Sequence, residues 1–380
     1  MDPSAEPAPE PPRKRIKQTG MGMRFLLQRL VQTPTLTGDE LKTLERSLDN
    51  NPNDADLSTF IQVWCQTGWA AHSDLETVPS EDIATACRIT LKVCKLHPID
   101  AFEAFGKALI PSLLCELADR AVSFEADHTS DMTSVVNALV EPLQWFADCS
   151  SRWFTSANAS LLLRAMDATT VWSTAEALLD ICLAICCTSF SPKQFFVEAG
   201  NGQVLFCALT ELVTHAFEGF AGQSEEMPPH VVVKMLQFFR RLFTNHEVKV
   251  FLSANINESN NVISALDHAL NDRSNNDTIV QSVWCISLLV KGAPETLCLS
   301  IIEADACQIL PRILNIISEV HENQDDIIRE IQRRCAHCVW YMAVGLQKRL
   351  FDVCKDRKKY LVTSLLSGLN NLQQFAPHDE

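Results

Sequence analysis

The sequence predicts an all-α protein, a helical solenoid of about five to six three-helix repeats. Three observations carry this. Glycine (12) and tyrosine (2) are few among 380 residues, while leucine and alanine abound, a balance that favours helix. Apolar runs of 10–18 residues, the length of helices, alternate with polar breaks at 49–58, 122–133, 218–230, 255–261, 271–277 and 321–326. Between them there is no sustained period-two alternation. Finally, the chain repeats itself at regular intervals.

In order along the chain, residues 1–22 are expected to form a disordered arm. Five prolines fall within the first twelve positions, followed by the cations Arg13, Lys14, Arg15 and Lys17. So little apolar surface cannot offset the entropy of ordering. Residues 23–82 read as an N-terminal helical capping region. "RFLLQRLV" precedes "TLTGDELKTLERSL", in which Thr37 and Glu40 have capping-box spacing. Residues 83–372 hold the repeats, and 373–380 read as a disordered tail.

The clearest repeat aligns 196–213 with 301–318 at a constant shift of 105 residues. Val197, Glu198, Ala199, Gln203 and Val204 meet Ile302, Glu303, Ala304, Gln308 and Ile309. Upstream, Leu178, Ile181 and Leu183 meet Val283, Ile286 and Leu288. Further copies are anchored at Ala254, Ala104 and, more faintly, Ala157, with a degenerate sixth near Cys354. Each unit reads as a short helix ending at the anchor alanine. A turn residue (Phe105, Asn158, Gly200, Asn255 or Asp305) follows, then a middle helix and a long apolar third helix. In "IVQSVWCISLLVKG", Ile279, Val283, Ile286 and Val290 mark one face, while Val280, Trp284 and Leu288 mark another. A helix apolar on two faces is expected between neighbours, and Gly292 is expected to end it.

This unit resembles the armadillo repeat. "FVEAGNGQVLFCALTELV" is similar to that family's short helix, glycine turn and second helix, and "VWCISLLVKGAPE" to its third helix and the step onward. The resemblance implies a right-handed superhelix whose third helices line a concave, peptide-binding groove. Armadillo and HEAT patterns shade into each other, so a HEAT-like subunit of a larger complex stays open. Import-adaptor members of the family read basic peptides with W-x-x-S-N on each third helix. Here Trp284 and Ser287 match, but Leu288 takes the asparagine position, and Ala343 and Val344 follow Trp340 where Ser-Asn would stand.

The net charge is −15. Residues 1–24 carry five basic and three acidic side chains, so the rest holds 27 basic and 44 acidic, or −17. A body that acidic is not expected to bind nucleic acid directly. No uninterrupted apolar stretch reaches 18 residues, so no membrane span is expected. Without a secretory leader, the 15 cysteines read as reduced, buried small hydrophobes.

Candidate sites are few. Arg13, Lys14, Arg15 and Lys17 match an import signal read by an import receptor, which predicts a nuclear or nucleocytoplasmic protein. Arg240, Arg241, Arg333 and Arg334 fall on third helices, with Lys92, Lys95 and Lys291 at similar places. With Trp284, His337 and Trp340 they are the groove candidates. If they face the groove, they predict a basic channel for a protein or peptide, an acidic one by likeness to catenin-type grooves. Cys335-x-x-Cys338 could serve a thiol- or zinc-dependent protein, but it lacks a second pair. Core-facing thiols are the simpler reading. No nucleotide-binding glycine loop, nucleophile elbow or H-E-x-x-H motif occurs. No catalytic residue, metal or cofactor is therefore expected, and the predicted function is a non-catalytic protein-binding scaffold.

Overall fold

The computed structural model describes residues 18–32, 36–50, 52–67, 79–126, 130–149, 153–154, 156–169, 172–187, 229–271, 275–303, 309–318 and 326–346. Every regular element among them is an α-helix. The chain divides into two compact units, Met1–Ser112 and Leu113–Glu380.

In the first unit, α1 (Gln18–Gln32), α2 (Gly38–Leu48), α3 (Asp54–Thr67) and α4 (Ser80–Leu96) precede the start of α5 (Pro98–Ala126). The capping box predicted at Thr37 starts α2. The Glu40 carboxylate accepts from the Thr37 backbone N–H and hydroxyl, both at 2.9 Å. Leu41, Leu44 and Leu48 bury one face of α2, which packs against α4. Ion pairs tie the rim between these helices: Lys42–Glu81 (2.8 Å), Arg88–Glu45 (3.3 Å) and Lys92–Asp49 (2.7 Å). Phe60 stacks on Trp64 in the core, and the Trp64 indole N–H donates to the Thr90 hydroxyl at 3.1 Å.

α5 differs from expectation. Ala104 and Phe105, read as an anchor and a turn, lie inside one 29-residue helix that also carries Pro111. Phe105 is fully buried. A large side chain held in the core favours continuing the helix, whereas the turn at Asn255 falls on a polar residue.

The second unit adds α6 (Ser130–Cys149), α7 (Ser156–Asp167), α8 (Trp172–Cys187) and α9 (Pro229–Phe243). Then come α10 (His246–Ala254), α11 (Ile256–Asn271) and α12 (Asn276–Val290), followed by α13 (Glu295–Glu303), α14 (Ile309–Ser318) and α15 (Asp326–Leu346). Ala157 and Asn158 lie in the first turn of α7, not at the end of a short helix. The copy at 196–213, Ala304 and the stretch from Cys354 lie outside the described residues.

Two complete three-helix units can be read from α10 to α15. α10 packs on α13, α11 on α14 and α12 on α15, so each helix meets its counterpart one repeat away. Within a repeat, α11 packs on α12, and α14 on α15. That recurrence is the packing expected of stacked repeats, in which each unit covers the next. The third helices continue as a layer in the order α6, α8, α9, α12, α15. Positions aligned by the 105-residue shift share their burial. Leu178 and Val283 are buried, as are Ile181 and Ile286, while Leu183 and Leu288 are half-buried.

Local chemistry sets the ends of these helices. The Asn245 and Asn275 side chains accept the N–H of Glu247 and Asp277, each at 2.9 Å, and so cap α10 and α12. Asn255 ends α10 as predicted: its N–H donates to the Phe251 carbonyl at 3.1 Å, and its own carbonyl accepts from Ser259 to begin α11. Gly292, at φ +64, ends α12 in the left-handed region, where a side chain is strained. The Nζ of buried Lys249, on α10, donates to the Lys291 carbonyl and closes that C-terminus.

Candidate functional site

α12 separates its two apolar stripes by environment. Val283, Ile286 and Val290 are buried and Ile279, in the first turn, is half-buried, whereas Val280, Trp284 and Leu288 are all half-buried. The second stripe therefore belongs to the outward face of the layer, away from α11. The expectation of burial on both faces holds only for the first.

Trp284 is the centre of this face. α9 and α15 flank α12, and each sends an arginine onto the indole. The Arg240 guanidinium carbon lies 4.4 Å from the ring centroid, and that of Arg334 lies 3.4 Å from it. A guanidinium over an aromatic face is attracted by the ring quadrupole, about 0.5–1 kcal/mol when exposed and about 2 kcal/mol when desolvated. Further contacts fix both arginines. Arg240 Nη1 donates to Gln281 Oε1 at 3.3 Å, and Arg334 Nε donates to Glu330 Oε1 at 2.8 Å.

The other candidates surround this stack. Arg333 also pairs with Glu330. Burial tends to raise the Glu330 carboxyl, but Arg334 and Arg333 outweigh it and hold the group below its usual range. Lys291 is exposed, with its ammonium 5.7 Å from the centroid of the Tyr341 ring. The His337 ring makes an edge contact with Tyr341 at 6.2 Å. Burial chiefly, then the charges of Arg334 and Arg333, lower the His337 imidazole below its ordinary value, so it is neutral at pH 7. Arg241 is exposed on α9, and Trp340 stands 50% exposed on α15. Gln281, Glu330 and Tyr341 went unnoticed in the sequence, although each lies three or four residues from a candidate on its own helix.

The face changes sign along the layer. Between α8 and α9, the Lys234 ammonium donates to Glu176 (2.6 Å) and Asp180 (2.7 Å), and His230 lies 3.1 Å from Glu176. Chiefly through its bond from Lys234, Glu176 is held below its usual range. That end sets two carboxylates against one ammonium. Around Trp284, by contrast, stand Arg240 and Arg334, with Arg241 and Arg333 beside them in sequence and Lys291 seven residues beyond Trp284. Lys92 belongs to the first unit, where it pairs with Glu45 and Asp49, and Lys95 is exposed there.

Cys335 and Cys338 are fully buried on α15. Burial raises the Cys335 thiol well above its ordinary value and pushes Cys338 up to about 12. The Cys338 thiol donates to the Val283 carbonyl of α12 at 3.6 Å, and the buried Cys285 thiol donates to the Leu236 carbonyl of α9 at 3.0 Å. The Cys338 and Cys285 thiols thus pack between successive third helices. Among the described residues, no group of three His, Cys, Asp or Glu side chains is placed to hold a metal. No described helix is long and apolar enough to cross a membrane. The cluster Arg13, Lys14, Arg15 and Lys17 lies outside the described residues.

Comparison with known proteins adds a likeness of fold. No family model matches the chain, and no curated protein does. Among solved structures it is similar to a designed armadillo repeat protein, YIII(Dq)4CqI. The identity is 13% over 68% of this chain and 99% of that one, with a TM-score of 0.44. The recurrent stacking from α10 to α15 stands on this chain's own contacts.

Proposed function

We propose that this chain is a non-catalytic protein-binding scaffold that takes an acidic peptide along the outward face of α9, α12 and α15. One observation carries the reading. In a chain of net charge −15, Arg240 and Arg334 are both fixed over the Trp284 ring, and Arg241, Arg333 and Lys291 stand on or at the ends of the same three helices. Ordering long cationic side chains costs entropy, and here their own scaffold has already ordered them. The same contacts argue against a reader of basic peptides. Such a reader leaves its tryptophan open for lysine stems, whereas Arg240 and Arg334 already lie over the Trp284 ring.

The test is charge reversal. With Arg240, Arg241, Arg333 and Arg334 all changed to Glu, binding of an acidic peptide should vanish, while wild-type binding should weaken steeply with added salt. Unchanged binding by a folded variant rejects the reading. The cations at 13–17 support nuclear import of the scaffold.

A further inference from the structure

The stack around Trp284 also sets a spacing. We infer that this face reads carboxylates two residues apart in an extended segment that crosses the helices from α9 over α12 to α15. The inference rests on the acidic-peptide reading above and adds a register to it.

Neighbouring packed helices lie about 8–10 Å apart, so side chains projecting straight out from α9 and α15 would be separated by roughly twice that. Arg240 and Arg334 do not project straight out. Both bend inward onto Trp284, at 4.4 Å and 3.4 Å from its centroid. Their guanidinium carbons are therefore at most the sum of those distances apart, 7.8 Å. Side chains on one side of an extended chain recur every second residue, about 6.6 Å along the strand. Adjacent residues point to opposite sides, and a separation of four residues spans about 13 Å. Only the two-residue spacing fits both guanidiniums at once. Each guanidinium carries five N–H donors. The bonds to Gln281 and Glu330 occupy one on each. Glu330 already holds Arg333 and Arg334 from within the same helix. An incoming carboxylate at Arg334 therefore shares that cation, while Arg240 has the neutral Gln281 as its partner. Arg240 is thus the stronger contact of the two and sets the register. The neutral His337 adds no third charge to blur it.

The experiment compares labelled nine-residue peptides of identical composition, each with two glutamates in an alanine–serine background, by fluorescence anisotropy. In one, a single residue separates the glutamates. In the second they are adjacent, and in the third three residues separate them. The first should bind on the order of tenfold more tightly than either other, the loss of one charge-assisted contact. Arg240→Gln, with its fold checked by circular dichroism, should erase that preference. Equal affinity for all three peptides overturns the register and leaves the acidic-peptide reading standing. A preference that survives Arg240→Gln overturns the assignment to this pair. If none of the three binds, the acidic-peptide reading fails and the register with it. The wild-type comparison stands even if the variant does not fold.

Discussion

At the scale of single residues, environment matters more than residue type. Trp284 and Trp340 both occupy the tryptophan position of a third helix, yet one lies beneath two arginines and the other is 50% exposed. The cysteines show the same dependence. Cys338 is fully buried, and burial pushes its thiol to about 12 from an ordinary 9. Between those values the folded state keeps a proton that the unfolded chain releases. The thiol's contribution is therefore complete below pH 9 and is lost as pH rises toward 12. The unfolding midpoint in urea should fall between pH 8 and pH 10, at a limiting slope of roughly 1.4 kcal/mol per pH unit for each such thiol. In Cys338→Ala, one thiol's share of that slope should be absent. A slope equal to wild type would mean that Cys338 is not held protonated by the fold.

At the scale of elements, the helix ends carry the clearest sequence logic. Asn275 caps α12 at its start. Gly292 ends it at φ +64, and buried Lys249 closes the same end from α10. Burial, then the charge of Lys291, lowers the Lys249 ammonium below its usual value. A Cβ at position 292 would meet nothing within 4 Å. The cost of Gly292→Ala is thus backbone strain alone, about 1–2 kcal/mol. Thermal unfolding should show a lower midpoint for the variant at unchanged helix content. An undiminished midpoint would show that the glycine is dispensable there. Where the sequence logic gave way, in α5, the reason was packing. Phe105 is buried within the helix, and Pro111 did not end it.

At the scale of the whole molecule, charge is distributed unevenly. A chain of −15 carries a cationic face around Trp284 and a cationic cluster at 13–17. Opposed fields of that kind steer partners more than they add affinity. The proposed import signal belongs to this scale, because it acts on the location of the whole chain. Changing Lys14 and Arg15 to Ala should move a fluorescent fusion from nucleus to cytoplasm. An unchanged distribution would remove the import proposal and leave the peptide-binding face untouched.

The sequence alone determined the helical class, the capping box at Thr37, the breaks at Asn255 and Gly292, and the alignment of α8 with α12. These follow from local backbone preference and apolar period, which the chain carries residue by residue. It also marked Arg240, Trp284 and Arg334 as members of one candidate surface. Only the tertiary structure decided that these three form a single stack and that Glu330 engages both Arg333 and Arg334. It likewise decided that the second apolar stripe of α12 faces outward. The physical reason is that Arg240 and Arg334 come from helices on either side of α12, 44 and 50 residues from Trp284 along the chain. Helical period fixes the face on which a side chain stands. The ring it meets across the next helix depends on how the repeats are stacked.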